Sequence, residues 1–216
     1  MKNLKLIIGI FGLLAILICC GRDNPLDSTP PDTPIPVRTT DSGGGLPIDP
    51  NIFPIYNETY GGGISLDVDS KLWVWSATLT MQELSSGAPE GSKMQEVTEG
   101  NVGWCGFGIV PWNGANTTKD MNAFASGYLH LSVKSSVEAT IEVGLESMTG
   151  PVQKWIFLNT KGFASDGAWH NISIPITDFT AGGVVLTEIS QYVMFRVAPS
   201  VNGRIFYLDN IYWTKN

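Results

Sequence analysis

Short runs of alternating apolar and polar residues dominate the second part of the chain, and this period of two constrains its fold more than any other feature. From about residue 52 onward the runs are separated by clusters of Gly, Asn, Asp, Ser and Pro, and no window carries the stripe of a long amphipathic helix. Because side chains alternate between the two faces of a strand, such runs predict many half-buried strands joined by turns. The pattern predicts an all-β domain, a two-sheet antiparallel β-sandwich, over residues 52–216.

The same alternation predicts which face of each strand is buried. The predicted strands cover residues 72–83, 92–98, 102–110, 127–134, 139–146, 154–158, 170–176, 192–197 and 204–213, and 127–134 and 139–146 are expected to form a hairpin. The core between the sheets is expected to take Cys105, Phe107 and Ile109, and also Trp73 and Trp75. The opposite faces then carry a polar and aromatic set: Trp104, Gly106, Gly108, Tyr128, His130, Glu142, Tyr192 and Arg196.

The first 20 residues resemble a bacterial lipoprotein signal peptide. Two lysines precede an apolar run over residues 6–18, which is too short for a comfortable membrane span. The run ends in Leu-Ile-Cys-Cys-Gly, similar to a lipobox, with Cys19 as the small residue before the cleavage point and Cys20 as the lipidated residue. The alternative is an uncleaved membrane anchor. The motif predicts a protein held in the bacterial cell envelope, on the surface or periplasmic side of the outer membrane.

Residues 21–51 are rich in Pro, Ser, Thr and Gly and lack the apolar content needed to form a core. We interpret them as a tether between the membrane and the β-domain.

Composition excludes some ligands. The formal net charge is −7, so no basic stripe is available to displace counterions from a nucleic acid, and an anionic polysaccharide is disfavoured for the same reason. A neutral glycan carries no such requirement. Seven tryptophans and only 15% charged residues suit a turn-rich protein with an aromatic surface.

Four segments together are similar to a known family. They are the turn before a strand at residues 88–93, the glycine-interleaved strand at 103–109, the Asp-Gly-Ala-Trp-His stretch leading to Ile-Pro-Ile within 165–179, and the closing strand at 206–213. This set resembles the galactose-binding-like jelly roll of carbohydrate-binding modules, especially families 4 and 11, over residues 56–213. The resemblance implies two facing sheets, with glycans bound across a concave face or at the loop tips.

The resemblance also implies a structural calcium ion near the domain ends. Asp209 matches the usual carboxylate ligand, Glu58 is a second candidate, and backbone oxygens near Lys93 complete the expected set. The alternative is that Asp209 caps a turn without a metal.

Sugar recognition needs aromatic rings for the C–H patches of pyranoses and a few planar polar groups for the hydroxyls. Trp104 is the leading candidate platform, because Gly106 and Gly108 would leave a shelf without side chains beside it. Tyr192 and Arg196 are four residues apart on one strand, about 13 Å, which spans two or three sugar units.

For the remaining candidate residues, strand alternation leaves more than one role open. An ion pair of Arg196 with Glu142 or Glu146 is the alternative to a role in sugar binding, and both can hold at once. Trp155 is either a core residue or a contact, and Trp112 lies in a loop where it could form the rim of a site.

Catalysis is not expected. A sandwich-type glycosidase needs two carboxylates that flank the glycosidic bond, and the chain has no strand with the pattern Glu-x-Asp-x-x-Glu. The chain also has only two histidines, which are few for a zinc site or for a Ser-His-Asp triad. The sequence therefore predicts a non-catalytic module that binds a neutral polysaccharide, a β-glucan by resemblance, near degrading enzymes or transporters. The rivals are an envelope protein-interaction or cell-wall module on the same fold and a polysaccharide-active enzyme with an unfamiliar site.

Overall fold

The computed structural model describes residues 49–60, 70–100, 103–111, 117–149 and 152–216, and these contain eleven strands. In chain order they are β1 (Ile52–Tyr56), β2 (Ser70–Val74), β3 (Leu79–Leu84), β4 (Met94–Glu99), β5 (Cys105–Pro111), β6 (Tyr128–Lys134), β7 (Ile141–Ser147), β8 (Val152–Phe157), β9 (His170–Pro175), β10 (Ile189–Val197) and β11 (Ile205–Thr214). One short helix, α1, spans Ile176–Thr180. Single 3-10 turns lie at Trp75–Ala77, Asn122–Phe124, Leu158–Lys161 and Leu186–Glu188.

The strands form two antiparallel sheets. The first has the order β3-β4-β11-β6-β9, with β1 also paired to β11, and the second has the order β2-β5-β10-β7-β8. The two sheets share one continuous cluster of buried side chains. The predicted two-sheet β-sandwich is confirmed.

The core faces follow the predicted alternation on most strands. Cys105, Phe107 and Ile109 of β5 are buried, and the ring of Phe107 stacks on that of Phe195 with centroids 5.0 Å apart. Trp213 of β11 is fully buried. Burying these apolar side chains between the sheets provides the main driving force that holds the sandwich closed.

Two local predictions about connectivity are wrong. Residues 72–83 form two strands in different sheets, because the turn at Trp75–Ala77 interrupts them with left-handed backbone at Ser76 (φ 49°) and Ala77 (φ 50°). The expected hairpin of residues 127–134 and 139–146 does not form either: β6 pairs with β11 and β9 in the first sheet, whereas β7 pairs with β10 and β8 in the second. Both segments pass from one sheet to the other, which periodicity alone does not reveal.

No helix in the described part of the chain is long and apolar enough to cross a membrane. The lipobox with Cys20 and most of the tether lie outside the described residues, so the anchor remains a prediction.

Candidate functional site

The outer face of the second sheet gathers aromatic and polar side chains over a floor of glycines. Strand register places Trp73, Gly108, Met194, Gly144 and Trp155 in one row across the five strands. The neighbouring row runs through Gly106, Arg196, Glu142 and Phe157. We call this surface the tryptophan face; its members are Trp73, Trp75, Trp104, Trp155, Arg196, Glu142, Gln191 and Met194 with Gly106, Gly108 and Gly144.

The glycines let two indoles lie against the strand backbone. A Cβ built on Gly144 would lie 2.8 Å from Cε3 of Trp155, and one on Gly106 would lie 2.6 Å from Cε3 of Trp75. Both distances are shorter than side-chain carbons tolerate, so only glycine permits these ring positions. The rings of Trp75 and Trp155 meet edge to face with centroids 6.0 Å apart, and Trp104 lies 6.4 Å from Trp75. The three indoles therefore form one contiguous cluster.

Trp75 is held in place by the turn that carries it. The backbone N–H and the hydroxyl of Thr78 both donate to the carbonyl of Trp75, at 3.0 and 2.9 Å. The same hydroxyl accepts a hydrogen bond from the backbone N–H of Gly106, at 3.2 Å. Buried Thr78 thus fixes the Trp75 turn to β5 and to the glycine beneath the ring. Trp73 and Trp75 were expected in the core between the sheets. Trp73 is buried, at 2% exposure, but it lies opposite Gly108 in the outer row and not in the core cluster, and Trp75 lies over Gly106 on the same side.

Arg196 joins the aromatic cluster through its guanidinium. The guanidinium carbon lies 4.5 Å from the centroid of the Trp155 ring, within the range of a cation–π contact. Nε of Arg196 donates a hydrogen bond to Oε2 of Glu142 at 2.6 Å, and Nη2 lies 2.6 Å from the same oxygen as an ion pair. Glu142 is buried while the Arg196 side chain is 38% exposed. The expected Arg196–Glu142 ion pair is present, and it orients the remaining guanidinium N–H groups.

A second set of polar groups occupies the adjoining row. The carboxylate of buried Glu146 accepts hydrogen bonds from the Ser190 hydroxyl at 3.0 Å and from the Gln153 side-chain amide. Gln153 in turn accepts a hydrogen bond from the indole N–H of Trp155 at 3.3 Å. Gln191 pairs with Glu146 across β10 and β7, yet within the described segments neither its amide oxygen nor its amide nitrogen has a hydrogen-bond partner. Sequence reasoning did not single out Gln191.

The expectation that Tyr192 shares an exposed face with Arg196 is wrong. Tyr192 is only 1% exposed, and its ring lies 4.9 Å from that of Phe53 in the core. Gln191 pairs with Glu146 and Met194 with Gly144, so two residues of β10, Tyr192 among them, oppose one residue of β7. This β-bulge breaks the alternation and turns Tyr192 into the core.

The other predicted contacts have mixed outcomes. The bare shelf expected beside Trp104 does not exist, because the Trp75 ring covers Gly106 and the Gln191 amide covers Gly108. Trp104 itself is half-buried. Trp155 lies on the outer face rather than in the core, and Trp112 lies outside the described residues.

The predicted calcium residues lie near one another, but their oxygens accept hydrogen bonds. Buried Asp209 accepts from the backbone N–H of Asn210 at 2.7 Å and of Glu90 at 3.3 Å. Glu58 accepts from the backbone N–H of Ser92 and of Lys93, the latter at 2.7 Å. Burial raises the pKa of Asp209 to about 7, and the nearby carboxylates of Glu90 and Glu58 contribute to that rise.

In the described parts of the chain, no three Asp, Glu, His or Cys side chains form a group that could hold a metal ion.

The two-sheet sandwich, with tryptophans on one outer face, places the chain in the class of β-sandwich carbohydrate-binding modules. The chain belongs to the family Carbohydrate binding domain 30, whose model matches residues 54–215.

Solved structures agree with this assignment of the fold. The family 30 carbohydrate-binding module of a cellulosomal cellulase of Clostridium thermocellum is 13% identical, with 76% of this chain and 98% of that chain covered and a TM-score of 0.56. Another family 30 carbohydrate-binding module is 13% identical, with 64% and 78% covered and a TM-score of 0.53. An exo-1,3/1,4-β-glucanase from Pseudoalteromonas is 12% identical, with 81% of this chain and 21% of that chain covered and a TM-score of 0.52. No curated protein matches the sequence.

Proposed function

We propose that the tryptophan face binds a neutral polysaccharide, a β-glucan, and that the chain performs no chemistry on it. The observation that carries this proposal is the clustering of Trp75, Trp104 and Trp155 with Arg196 on one outer sheet face, with glycines beneath the rings. Indoles offer apolar area to the C–H patches of sugar rings, and a fixed guanidinium offers N–H donors to their hydroxyls.

The choice of an uncharged β-glucan has two supports. The net charge of −7 disfavours anionic chains, and the tryptophan face places its one arginine next to a carboxylate that neutralises it. Two similar structures come from proteins whose names state a cellulase and an exo-1,3/1,4-β-glucanase. These names describe those proteins and make β-glucans the first ligands to test here.

The hydrogen bonds and the ion pair of Glu142 and Glu146, the two acids on this face, favour a non-catalytic role. Glycoside hydrolysis needs one carboxyl group to donate a proton and a second to act as base or nucleophile. Glu142 is tied to Arg196, and Glu146 accepts hydrogen bonds from Ser190 and Gln153. Both acids thus have partners that orient binding groups, which favours binding over hydrolysis.

We further propose that the domain is anchored by lipid on Cys20 in the bacterial cell envelope and serves neighbouring polysaccharide-degrading enzymes or transporters. The support is the lipobox-like sequence and the Pro- and Gly-rich segment that follows it. A structural calcium ion near Asp209 also remains a proposal. Its support is the buried carboxylate with Glu90 and Glu58 nearby, since a cation would stabilise the ionised form.

Isothermal titration of the full chain with soluble β-1,3-1,4-glucan tests the main proposal. We expect a Kd in the micromolar to millimolar range, as for a shallow site with a few stacking contacts. Trp155→Ala and Trp104→Ala should each weaken binding about tenfold or more, which corresponds to about 1.4 kcal/mol. Tyr128→Ala, an exposed aromatic on the first sheet, is the matched control and should leave Kd unchanged.

Ionic strength provides a further check, because binding of an uncharged glycan should persist in 1 M salt, where charge–charge attraction is screened over about 3 Å. If the chain binds no neutral glycan on a broad array, the proposal fails and the rival envelope-interaction function takes its place.

A further inference from the structure

The amide of Gln191 is a buried polar group that has no hydrogen-bond partner among the described residues. Gln191 is 1% exposed, and in this part of the chain neither its Oε1 nor its Nε2 is paired. Leaving a donor and an acceptor unpaired away from water costs free energy, so such groups are rare unless something else uses them. The carboxylate of Glu146 accepts hydrogen bonds from Ser190 and Gln153 and forms none with the Gln191 amide.

The position of this amide points to the tryptophan face. A Cβ built on Gly108 would lie 1.8 Å from Oε1 of Gln191, so the amide occupies the space that any other residue at position 108 would fill. Trp75 carries a second buried donor on the same face, an indole N–H that has no partner in the described parts of the chain. The Trp75 ring covers Gly106, and Gly106 and Gly108 are two residues apart on β5, so these two glycines are about 7 Å apart.

The side chain beside the Gln191 amide is that of Met194, which can change its rotamer. Cγ of Met194 lies 3.5 Å from the Cβ position of Gly108, and its Cε lies 2.9 Å from the Cβ position of Gly144. The Met194 side chain therefore extends along the row between the two glycines. A thioether chain has several low-energy rotamers and repacks readily, so a ligand settling on this row can displace it.

We infer that the Gln191 amide, with the indole N–H of Trp75, is the polar anchor of the glycan site. A side-chain amide donates and accepts at once, so it can bond two adjacent hydroxyl groups of one sugar ring. The indole N–H of Trp75 supplies a further donor on the same face. The ligand class is an uncharged glycan that presents a free vicinal diol to the sheet. This inference rests on the proposed function, because it assigns the recognition of the same ligand.

The test uses Gln191→Met, which keeps the length of the side chain and removes both polar atoms. Because the amide is unpaired in the free protein, Tm should stay the same or rise. Kd for soluble β-1,3-1,4-glucan should weaken tenfold or more. Gln95→Met is the matched control: Gln95 is a buried glutamine of the first sheet, and its exchange should leave Kd unchanged.

The two readouts separate a binding role from a structural one. A lower Tm for Gln191→Met, whatever its affinity, would mean that the amide supports the fold, and the inference would be overturned. An unchanged Kd in Gln191→Met, while the unmodified chain binds glucan, would overturn the inference and leave the proposed function standing. If the unmodified chain binds no neutral glycan, the proposed function and this assignment fail together.

Discussion

Arg196 is fixed to Trp155 and to Glu142 at the same time: its guanidinium carbon lies 4.5 Å from the Trp155 ring centroid, its Nε donates to Oε2 of Glu142, and its Nη2 forms an ion pair with the same oxygen. A long side chain held in this way has already lost much of its rotational freedom before a ligand arrives. Binding a ligand then costs less ordering entropy, which favours affinity from a small number of contacts.

Arg196→Lys tests this arrangement. Lysine keeps the charge but lacks the planar guanidinium that lies over Trp155 and faces Glu142 with both Nε and Nη2, so Kd for soluble β-glucan should weaken about tenfold by titration calorimetry. Lys134→Arg is the control, since Lys134 lies over the rings of Trp169 and Tyr207 on the first sheet. Equal affinities of Arg196→Lys and the unmodified chain would show that the fork has no role in binding.

Gly144→Ala tests whether the glycine floor sets the Trp155 ring. The new methyl group would lie 2.8 Å from Trp155 Cε3 and 2.9 Å from Met194 Cε, so the ring or the thioether must shift. We expect a lower Tm and weaker glucan binding. In the background of Trp155→Ala the same change should cost less stability, because the clash with the ring is gone. Additive losses in Tm would contradict this steric account.

The titration of Asp209 predicts a pH dependence of stability. The pKa of this carboxyl is raised to about 7 in the folded protein from the ordinary 3.8, mainly by burial. Between these values the folded state keeps a proton that the unfolded chain releases, so Asp209 destabilises the fold progressively as pH rises from about 4 to 7. In excess chelator, the Tm advantage of Asp209→Asn over the unmodified chain should therefore grow from pH 5 to pH 7.5.

Comparing the two chains isolates that effect. Burial lowers the pKa of His130, which acts in the opposite direction, but His130 is present in both proteins and cancels. The pKa of Glu58 is lowered, so Glu58 affects stability only as pH falls toward and below its usual range. A Tm difference that is constant from pH 5 to pH 7.5 would contradict the raised pKa of Asp209.

Chelation tests the proposed calcium ion separately. A ligand that binds only the folded state stabilises it by mass action, so excess EDTA at pH 7.5 should lower Tm if calcium is bound. Asp209→Asn is the control, because a variant without the carboxylate should melt at the same temperature with and without chelator. If the unmodified chain has the same Tm with and without EDTA, the proposal of a bound calcium ion is wrong.

Cys20→Ala tests the proposed anchor in bacterial cells. Labelled fatty acid should be incorporated into the unmodified chain and lost in Cys20→Ala, with the protein released from the membrane fraction. Cys19→Ala keeps a small residue before the cleavage point and should retain the label. The reverse pattern would place the lipidated residue one position earlier.

Strand alternation predicted the core because burial enforces it. Cys105, Phe107 and Ile109 lie on the core side of β5, and Gly106 and Gly108 on the outer side, as the period of two requires. The prediction fails at Tyr192 because the β-bulge inserts one residue into β10, and nothing in the local sequence marks where that happens. Bulges depend on the partner strand, which the order of residues does not specify.

The site was predicted only in part for a similar reason. Arg196, Glu142 and Trp155 could be proposed from their side-chain chemistry, and the structure brings them together. Trp75 was assigned to the core because residues 72–83 read as a single strand, whereas the chain changes sheets at that tryptophan. Gln191 carries no sequence signal, because its lack of partners depends on which groups the two neighbouring strands place beside it.

The last strand of the chain, β11, lies in the interior of the first sheet, between β4 and β6, and also pairs with β1. Three other strands, β1, β4 and β6, therefore gain β11 as a partner only after Ile205–Thr214 has been synthesised. Contacts of such large sequence separation slow folding, because the intervening chain must first be closed into a loop. During synthesis the first sheet therefore lacks an interior strand until Ile205–Thr214 has emerged, and removal of this strand would leave exposed strand edges that promote aggregation.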